Sequence, residues 1–387
     1  MSNENNKNAF VIDVAKDHTY QNQDDEYRKA YTKWRTDPTN PYTYKFVKDT
    51  REHSYMAGKG FIRENAHDAE NSTLYKCLTL LGIVMMVFFV FDVVIYLIMA
   101  YMGYGEMCNV VYYSQRYQLN RGLPLLPVAV YTVLTVVKFI TAISVFRLKT
   151  KVPLTVALPR TGAGFVVNFN SVAIMLMIMV VGRLSNSLLD KILSVFHVDS
   201  VYIYMFPGSS TGVMVLSIIL NCLILPVLTE VLFRGFVMQS FRQFGDSFAV
   251  IVSSLVCCLT FYDLSYIGYS LCCSIVIGLF TIRTGSLKTA VWMHVISTSV
   301  NYLLTLIGSY SSSAGRVLEI MVFLLICASA LMVYSRLNNF KDWSYNIDHQ
   351  SSEVTFDKKI EQIFSSNTIV LWFVLVIIMT IVGMKIL

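Results

Sequence analysis

The hydrophobic residues of this chain lie in long continuous runs that short polar joints separate. The runs begin near residue 78, and each is about 20 residues long, the length that an α-helix needs to cross a bilayer. They are too long and too continuous for membrane β-barrel strands, which alternate in polarity over about 10 residues. The pattern therefore predicts an all-α fold, a polytopic membrane bundle of about nine transmembrane helices. The predicted spans are 78–101, 124–146, 164–182, 211–234, 247–263, 266–283, 289–308, 316–335 and 367–386.

The chain before the first run is polar, and its acidic and basic residues balance. We interpret residues 1–76 as a polar N-terminal extension and residues 77–387 as the membrane domain. Short helices are predicted at 24–34 and 42–55, although this composition is also compatible with partial disorder. The polar N-terminal sequence predicts no cleavable signal peptide, and the first run is expected to act as an uncleaved anchor.

One polar stretch interrupts the apolar runs of the membrane domain. The segment 184–210 is too interrupted to cross a bilayer. Its part 188–198 has the apolar spacing of an amphipathic helix. The sequence therefore predicts an interfacial helix there, lying on the membrane surface.

Composition supports this class and restricts the partners. Hydrophobic residues make up 55% of the 387 residues and charged residues only 14%, with a mean hydropathy of +0.55, whereas about a quarter of a soluble protein is charged. The net charge of +6 lies mostly in the joints, so it reports topology and does not indicate a nucleic-acid surface. The cysteines form neither a CxxC pattern nor a disulfide framework. The lipid bilayer is thus an expected partner, nucleic acid is not, and no cofactor is predicted.

The charges of the joints predict how the bundle is oriented. The joint between the second and third spans holds Arg147, Lys149, Lys151 and Arg160 without an acid. The joints after the sixth and eighth spans are also basic, although the joint after the eighth span contains acids as well. The joints that alternate with these, beginning with the one after the first span, contain fewer basic residues. Basic joints face the cytoplasm. The expected location is the plasma membrane, with the N-terminus cytoplasmic and the C-terminus outside.

Ionisable residues inside the spans are the first candidates for function, because burying a charge in a bilayer is costly. They are Asp92, Lys138, Glu230, Arg234, Asp263, His294 and Glu319. We expect Asp92 and Lys138 to pair across two helices. Glu230 and Arg234 are four residues apart, so they share a helix face, and we predict that they form a buried structural pair.

Three short motifs follow one another between residues 229 and 303: TEVLFRG at 229–235, IRTGSL at 282–287 and HVIST at 294–298. Their order and spacing resemble the core of the CPBP family, the CAAX-protease and bacteriocin-processing (Abi) intramembrane proteases. That family carries Glu-Glu-x-x-x-Arg-Gly, Phe-x-x-x-His, a joint like Leu-Arg-Thr-Gly-Ser-Leu, and His-x-x-x-Asn. Phe261 fits the Phe of the second motif. The resemblance implies a helical membrane fold with a family core at 211–308 and an intramembrane endopeptidase ancestry.

The chain departs from the family where the chemistry is done. The resemblance implies that the first Glu and the second-motif His activate a water, and that the last-motif His and Asn stabilise the oxyanion. The matching positions hold Thr229, Ser265, His294 and Thr298, so three of the four have changed. A Thr or Ser hydroxyl takes no proton from water at neutral pH, and the general base is therefore missing.

Neighbouring residues are poor replacements for the lost groups. Glu230 is rotated about 100° from position 229 on a regular helix, so it is expected to turn away from a cavity that position 229 faces. Asp263 is two residues from Ser265 and faces elsewhere. Asn301 lies two turns after His294 on the same face, so it is the one local candidate to replace an oxyanion donor, but it is not a base. Glu230 and His294 alone do not complete a zinc site, which takes three or four ligands.

Three hypotheses of function follow. The first is a CPBP-like pseudoenzyme that retains Glu230 and His294 and binds a peptide, a prenylated protein or another membrane protein through Arg234, Phe261 and Asn301. The second is an active intramembrane endopeptidase, CAAX-processing or bacteriocin-related, with an unorthodox site built on Glu230, His294 and Asn301. The third is a transporter-like protein whose buried charges line a pathway, although the chain has no internal repeat of the transporter kind.

Overall fold

The fold is known from a computed structural model of the chain. It describes residues 10–12, 23–44, 46–48, 54–56, 60–62, 66–105, 108, 123–196, 198–199, 210–310, 312–337, 354–382 and 385–386. Every structural statement below refers to these residues. Nearly all of them are helical, and the remaining regular structure consists of three short pairs of strands.

Twelve helices can be followed along this part of the chain. One precedes the membrane domain, α1 (Asp25–Thr36), and the longest, α2 (Ala66–Tyr101), contains the first apolar run. The others are α3 (Leu125–Thr150), α4 (Leu154–Ala157), α5 (Phe165–Val195), α6 (Thr211–Phe244), α7 (Asp246–Leu259), α8 (Leu264–Thr284), α9 (Leu287–Tyr310), α10 (Ser312–Leu337), α11 (Phe356–Ser365) and α12 (Asn367–Val382).

The prediction of an all-α polytopic membrane bundle is confirmed. Each predicted span overlaps a helix, namely α2, α3, α5 to α10 and α12, but the last one was predicted to run to residue 386, whereas α12 ends at Val382 and Lys385–Ile386 are a strand. Within the described residues, five helices are long and apolar enough to cross a membrane, and α11 with α12, bent by 71°, makes a sixth if the pair is one span. Helix α7 is shorter than its predicted span, because the helical backbone stops at Leu259.

Two predicted helices differ from the structure. The stretch predicted as a separate interfacial helix at 188–198 instead continues α5 without a break as far as Val195, because nothing in its sequence stops a helix that has already begun. The helix predicted at 42–55 is also wrong. Its described residues include two strands, Phe46–Lys48 and Ser54–Met56, which fit the β-branched and aromatic residues there.

The strands are short and antiparallel. In chain order they are β1 (Phe10–Ile12), β2 (Phe46–Lys48), β3 (Ser54–Met56), β4 (Gly60–Ile62), β5 (Val198–Asp199) and β6 (Lys385–Ile386). Strand β1 pairs with β2, β3 with β4, and β5 with β6. The last pair joins the chain after α5 to the chain after α12.

Helix α6 lies at the centre of the bundle. It contacts α3 on one side and α9 on another, and its second half packs on α7. One buried apolar cluster joins α1, α2, α3, α7 and α12 to α6, and a second joins α5, α8 and α9. The first cluster includes Leu232 and Phe233 of α6, and Val231 packs against the second, so the helix that carries the first family motif is held between them.

The N-terminal helix α1 is docked on the membrane domain. Tyr27, Tyr31 and Trp34 are buried in the larger cluster. The Tyr27 hydroxyl donates to Gln239 Oε1 at 2.7 Å, and the Trp34 indole donates to the Thr150 carbonyl at 2.8 Å. Burial raises the pKa of Tyr27 well above its usual range, so its hydroxyl remains a neutral hydrogen-bond donor.

Candidate functional site

Helix α6 is irregular around the first motif. It contains two π-helical turns, Ile219–Ile224 and Val231–Val237, and the second begins immediately after Glu230. The first lies just before Pro226, which has no N–H and whose ring crowds the preceding turn. Single π turns inside α-helices are frequent at functional sites. This wider winding sets which side chains α6 presents to α8 and α9.

Gly235 allows α6 to approach the short helix α4. A Cβ atom at this position would lie 2.7 Å from the Ala157 carbonyl oxygen, which belongs to the backbone and cannot swing away. Any side chain here would therefore push α6 from α4. The glycine of the first motif is explained by this close approach.

Glu230 lies at the centre of a buried polar network. Its Oε2 is 3.3 Å from Arg234 Nε and its Oε1 is 2.7 Å from His294 Nδ1, and the carboxylate is fully buried. The contact with Arg234 is an ion pair without hydrogen-bond alignment. The contact with His294 joins α6 to α9. The predicted Glu230–Arg234 pair is therefore present, and it includes a third partner that the sequence did not predict.

The guanidinium of Arg234 connects the pair to two further helices. Its Nη2 donates to the Ser274 carbonyl at 2.8 Å and to the Ser274 hydroxyl, both on α8. Its Nη1 contacts Cys257 Sγ at 3.5 Å on α7. One buried arginine thus links α6, α7 and α8, and Glu230 adds α9 through His294.

His294 is the least buried member of the network, because its side chain is 24% exposed. Its Nδ1 lies beside the Glu230 carboxylate, which also pairs with the Arg234 guanidinium. A carboxylate in an ion pair has no proton to donate, so it accepts the hydrogen bond from the imidazole. We assign the proton to Nδ1 on this ground, which leaves Nε2 unprotonated in the neutral ring. An imidazole oriented by a carboxylate is an arrangement that general-base catalysis uses.

A cavity opens beside this network. Glu230, Arg234, Phe261, His294 and Thr298 are among its lining residues, with hydroxyl and thiol side chains from α7, α8 and α9. Its water-accessible space is about 40 Å³. One water needs about 10–15 Å³ on this measure, so the cavity holds a few waters or one small chemical group, and an extended peptide does not fit inside it.

Residues 211–300 match the family model of the "Type II CAAX prenyl endopeptidase Rce1-like" proteins. This segment runs from the start of α6 into α9 and includes all three motifs and the network around Glu230. This match supports membership of the CPBP family for the segment that carries the three motifs. The match covers about a quarter of the chain. No curated protein and no solved structure matches it.

Two of the four CPBP positions singled out from the sequence line the cavity, namely His294 and Thr298. Thr229 is buried but does not belong to the lining, whereas Glu230 does. From the sequence, Glu230 was expected to turn away if position 229 faced the cavity, and instead the two positions exchange these places. Residues 229 and 230 lie in a regular α-helical stretch, Leu225–Glu230, so they are about 100° apart, and Glu230 is the one that reaches the cavity.

The other expected site residues are dispersed. Ser265 is the second residue of α8, and its side chain lies outside the described residues, as does that of Glu319. Asn301 is buried on α9 and Asp263 is buried between α7 and α8, and neither belongs to the cavity lining. Among the described residues, no three His, Cys, Asp or Glu side chains come together to hold a metal ion.

The contribution of α8 to the cavity was not predicted from the sequence. Tyr266, Ser270 and Ser274 of this helix line it, together with Cys257 from α7. The three α8 residues are spaced four apart, so they lie on one helix face. A row of polar side chains at this spacing within an apolar span was the signal that could have found them.

A second buried ion pair lies outside the CPBP core, as predicted. Lys138 Nζ of α3 is 2.7 Å from Asp92 Oδ1 of α2. The ammonium also lies 4.0 Å from the centre of the Phe88 ring, a cation–π contact. The other carboxylate oxygen, Oδ2, accepts a hydrogen bond of 3.1 Å from the Tyr262 hydroxyl.

Proposed function

We propose that this CAAX-protease-like membrane protein binds its partner without hydrolysing a peptide bond. The observation that supports this is the burial of the Glu230 carboxylate and the two contacts that it makes. Its carboxylate is fully buried, and its two oxygens face Arg234 and His294. A carboxylate with both oxygens in such contacts holds helices together and is not free to activate a water.

The replaced positions support the same proposal. General-base catalysis contributes about 10²–10⁴ in rate, and Thr229 and Ser265 stand where the family carries its two proton-handling groups. Thr298 retains a hydroxyl at the cavity wall and still donates a hydrogen bond. The site therefore keeps donors for binding and lacks the groups that the family uses to generate a nucleophile.

The partner that we propose is a peptide segment of a prenylated or otherwise membrane-anchored protein. The cavity lies among apolar helices, which a membrane-anchored chain reaches by lateral diffusion. Its space of about 40 Å³ admits one small group. We therefore propose that the partner lies across the mouth of the cavity beside Phe261 and inserts a single side chain or chain end.

Location and organisation belong to the same proposal. We place the protein in the plasma membrane with its N-terminus cytoplasmic, because basic joints face that side. We also propose the division into a cytoplasmic region at 1–76 and a membrane domain at 77–387 with its family core at 211–308. Helix α2 begins at Ala66, so this division lies within a continuous helix.

The test is an assay of the purified protein with prenylated and unmodified peptides. We expect no turnover above that of Glu230→Gln, and tighter binding of the prenylated peptide than of the unmodified one. The triple variant Thr229→Glu, Ser265→His, Thr298→Asn restores the family residues, and a gain of turnover in it would support a cavity of preserved shape. Binding of neither peptide would refute the proposed partner class.

The second candidate is an active endopeptidase, and the 2.7 Å contact between Glu230 and His294 favours it. In this reaction His294 Nε2 would take a proton from water while Glu230 orients the ring. Turnover by the native protein that is abolished by both Glu230→Gln and His294→Ala would establish it. The same result would overturn the pseudoenzyme proposal.

A further inference from the structure

The backbone is strained where α7 gives way to α8. Residues 260–263, here called the α7–α8 joint, connect the two helices, and Tyr262 within it has φ of +52°. A bulky aromatic residue with positive φ is an outlier. Such strain persists only where the surroundings impose it, and it is concentrated at functional sites.

Contacts from two helices outside the family match impose this conformation. The Tyr262 hydroxyl donates to Asp92 Oδ2 at 3.1 Å, and its ring packs edge-on against Phe89 at 5.9 Å, both on α2. Lys138 of α3 holds the other oxygen of Asp92 at 2.7 Å. All three polar side chains are buried. The tyrosine is thus fixed by a carboxylate that is itself fixed.

The joint also forms part of the cavity wall. Phe261, next to Tyr262, lines the cavity and packs edge-on against Tyr266 with 5.0 Å between ring centres. On the other side of the joint, the Cys257 carbonyl accepts from the Thr260 hydroxyl at 2.7 Å. Cys257 lines the cavity as well. A shift of Tyr262 would therefore move the wall on both sides of the joint.

We infer that Asp92 and Tyr262 are positioning residues that hold the cavity wall closed at the α7–α8 joint, with Lys138 orienting Asp92. The hydrogen bond from Tyr262 keeps the strained backbone in place and keeps Phe261 against Tyr266. Without it, the joint relaxes and the cavity opens. This inference concerns access to the cavity, and it holds whether the cavity hydrolyses its partner or only binds it.

The native cysteines provide the measurement. Cys257 and Cys273 are buried in the cavity wall, whereas Cys77 of α2 and Cys222 of α6 are buried and do not belong to the lining. Cys272 is exposed and reports that the reagent is active. The purified full-length protein is alkylated with N-ethylmaleimide, and the rate at each cysteine is followed by peptide mass spectrometry.

The main variant is Tyr262→Phe, which removes one hydroxyl and keeps the ring. We expect alkylation of Cys257 and Cys273 to become about tenfold faster, the equivalent of about 1.4 kcal/mol, while Cys77 and Cys222 keep their rates. The matched control is Thr132→Val, which removes a buried hydroxyl of α3 that bonds only to its own helix, at the Val128 carbonyl. It should leave all rates unchanged.

A second variant keeps the test decisive if Tyr262→Phe does not fold. Asp92→Leu combined with Lys138→Met removes the acceptor of Tyr262 and both charges together, so no lone charge is left among the apolar helices. We expect the same selective increase at Cys257 and Cys273. An equal increase at all buried cysteines would mean general loosening and would overturn the inference, and so would unchanged rates at the two cavity cysteines.

Discussion

Two buried ion pairs lie inside the predicted spans. Glu230 contacts Arg234 and His294, and Asp92 contacts Lys138. Removing a charge from water costs several kcal/mol, and only a close partner with further hydrogen bonds offsets this cost. The sequence predicted both pairs, because a four-residue spacing shares a helix face and because charges in a membrane seek partners. The contact with His294 was not predictable, since it depends on how α6 and α9 are placed against each other.

The Glu230–Arg234 pair should be essential for stability. Arg234→Ala leaves a buried carboxylate without its cation, and we expect it to lower the free energy of unfolding by about 3–5 kcal/mol. The measurement is thermal unfolding of the purified protein in detergent. Arg28→Ala is the matched control, because Arg28 pairs with Asp25 at 3.7 Å on the surface, where a pair contributes little. Equal stability of the two variants would contradict the structural role of Arg234.

A single methyl group at Gly235 should disturb the site. Gly235→Ala places a Cβ 2.7 Å from the Ala157 carbonyl oxygen, and overpacking of this kind costs about 1–3 kcal/mol. Gly212→Ala is the control in the same helix, because its Cβ would meet only the Leu125 side chain, at 3.7 Å. We expect the unfolding temperature to be lower for Gly235→Ala and unchanged for Gly212→Ala. A variant as stable as Gly212→Ala would show that α6 and α4 separate without cost.

At the scale of whole elements, the apolar runs were sufficient to place the membrane helices. Each run satisfies its backbone hydrogen bonds within itself, so its length and hydropathy identify it without knowledge of its neighbours. The second π turn of α6 lies where Gly235 approaches Ala157 of α4, and it was not predictable because that approach depends on packing between helices distant in the sequence. Docking of α1 was not predictable either. Its buried face consists of Tyr27, Tyr31, Trp34 and Arg35, whose partners lie far away in the sequence.

Helix α1 should therefore contribute to the stability of the membrane domain. Trp34→Ala removes a buried ring and its hydrogen bond to the Thr150 carbonyl, and truncation of a buried aromatic costs about 3–5 kcal/mol. We expect a lower unfolding temperature and faster proteolysis of the N-terminal region. Lys33→Ala alters the exposed neighbour of Trp34 and should change neither. Unaltered proteolysis of Trp34→Ala would argue against docking.

At the scale of the whole molecule, contacts between distant joints agree with the predicted alternation of sides. Trp34 and Asn40 bond to the carbonyl of Thr150, and Lys359 bonds to that of Phe244 at 2.6 Å. The backbone of Leu287 bonds to that of Pro159. These positions lie in the N-terminal region or in joints that the predicted alternation of spans assigns to the cytoplasmic side. The pairing of β5 with β6 brings together the two segments assigned to the outside.

The sidedness itself is open to a labelling experiment in intact cells with a membrane-impermeant maleimide. Because the Cys272 thiol is exposed, the background is Cys272→Ser. Lys151→Cys and Lys358→Cys replace exposed residues of basic joints, and Lys191→Cys replaces an exposed residue near the end of α5. Position 150 itself is unsuitable, because Thr150 is buried under α1.

Basic joints stay in the cytoplasm since moving them across the membrane is opposed, and α5 separates Lys191 from Lys151. We therefore expect only Lys191→Cys to react in intact cells, and all three to react after permeabilisation. Reaction of Lys151→Cys but not of Lys191→Cys in intact cells would show that the bundle has the opposite orientation. Reaction of both variants would show that α5 does not cross the membrane.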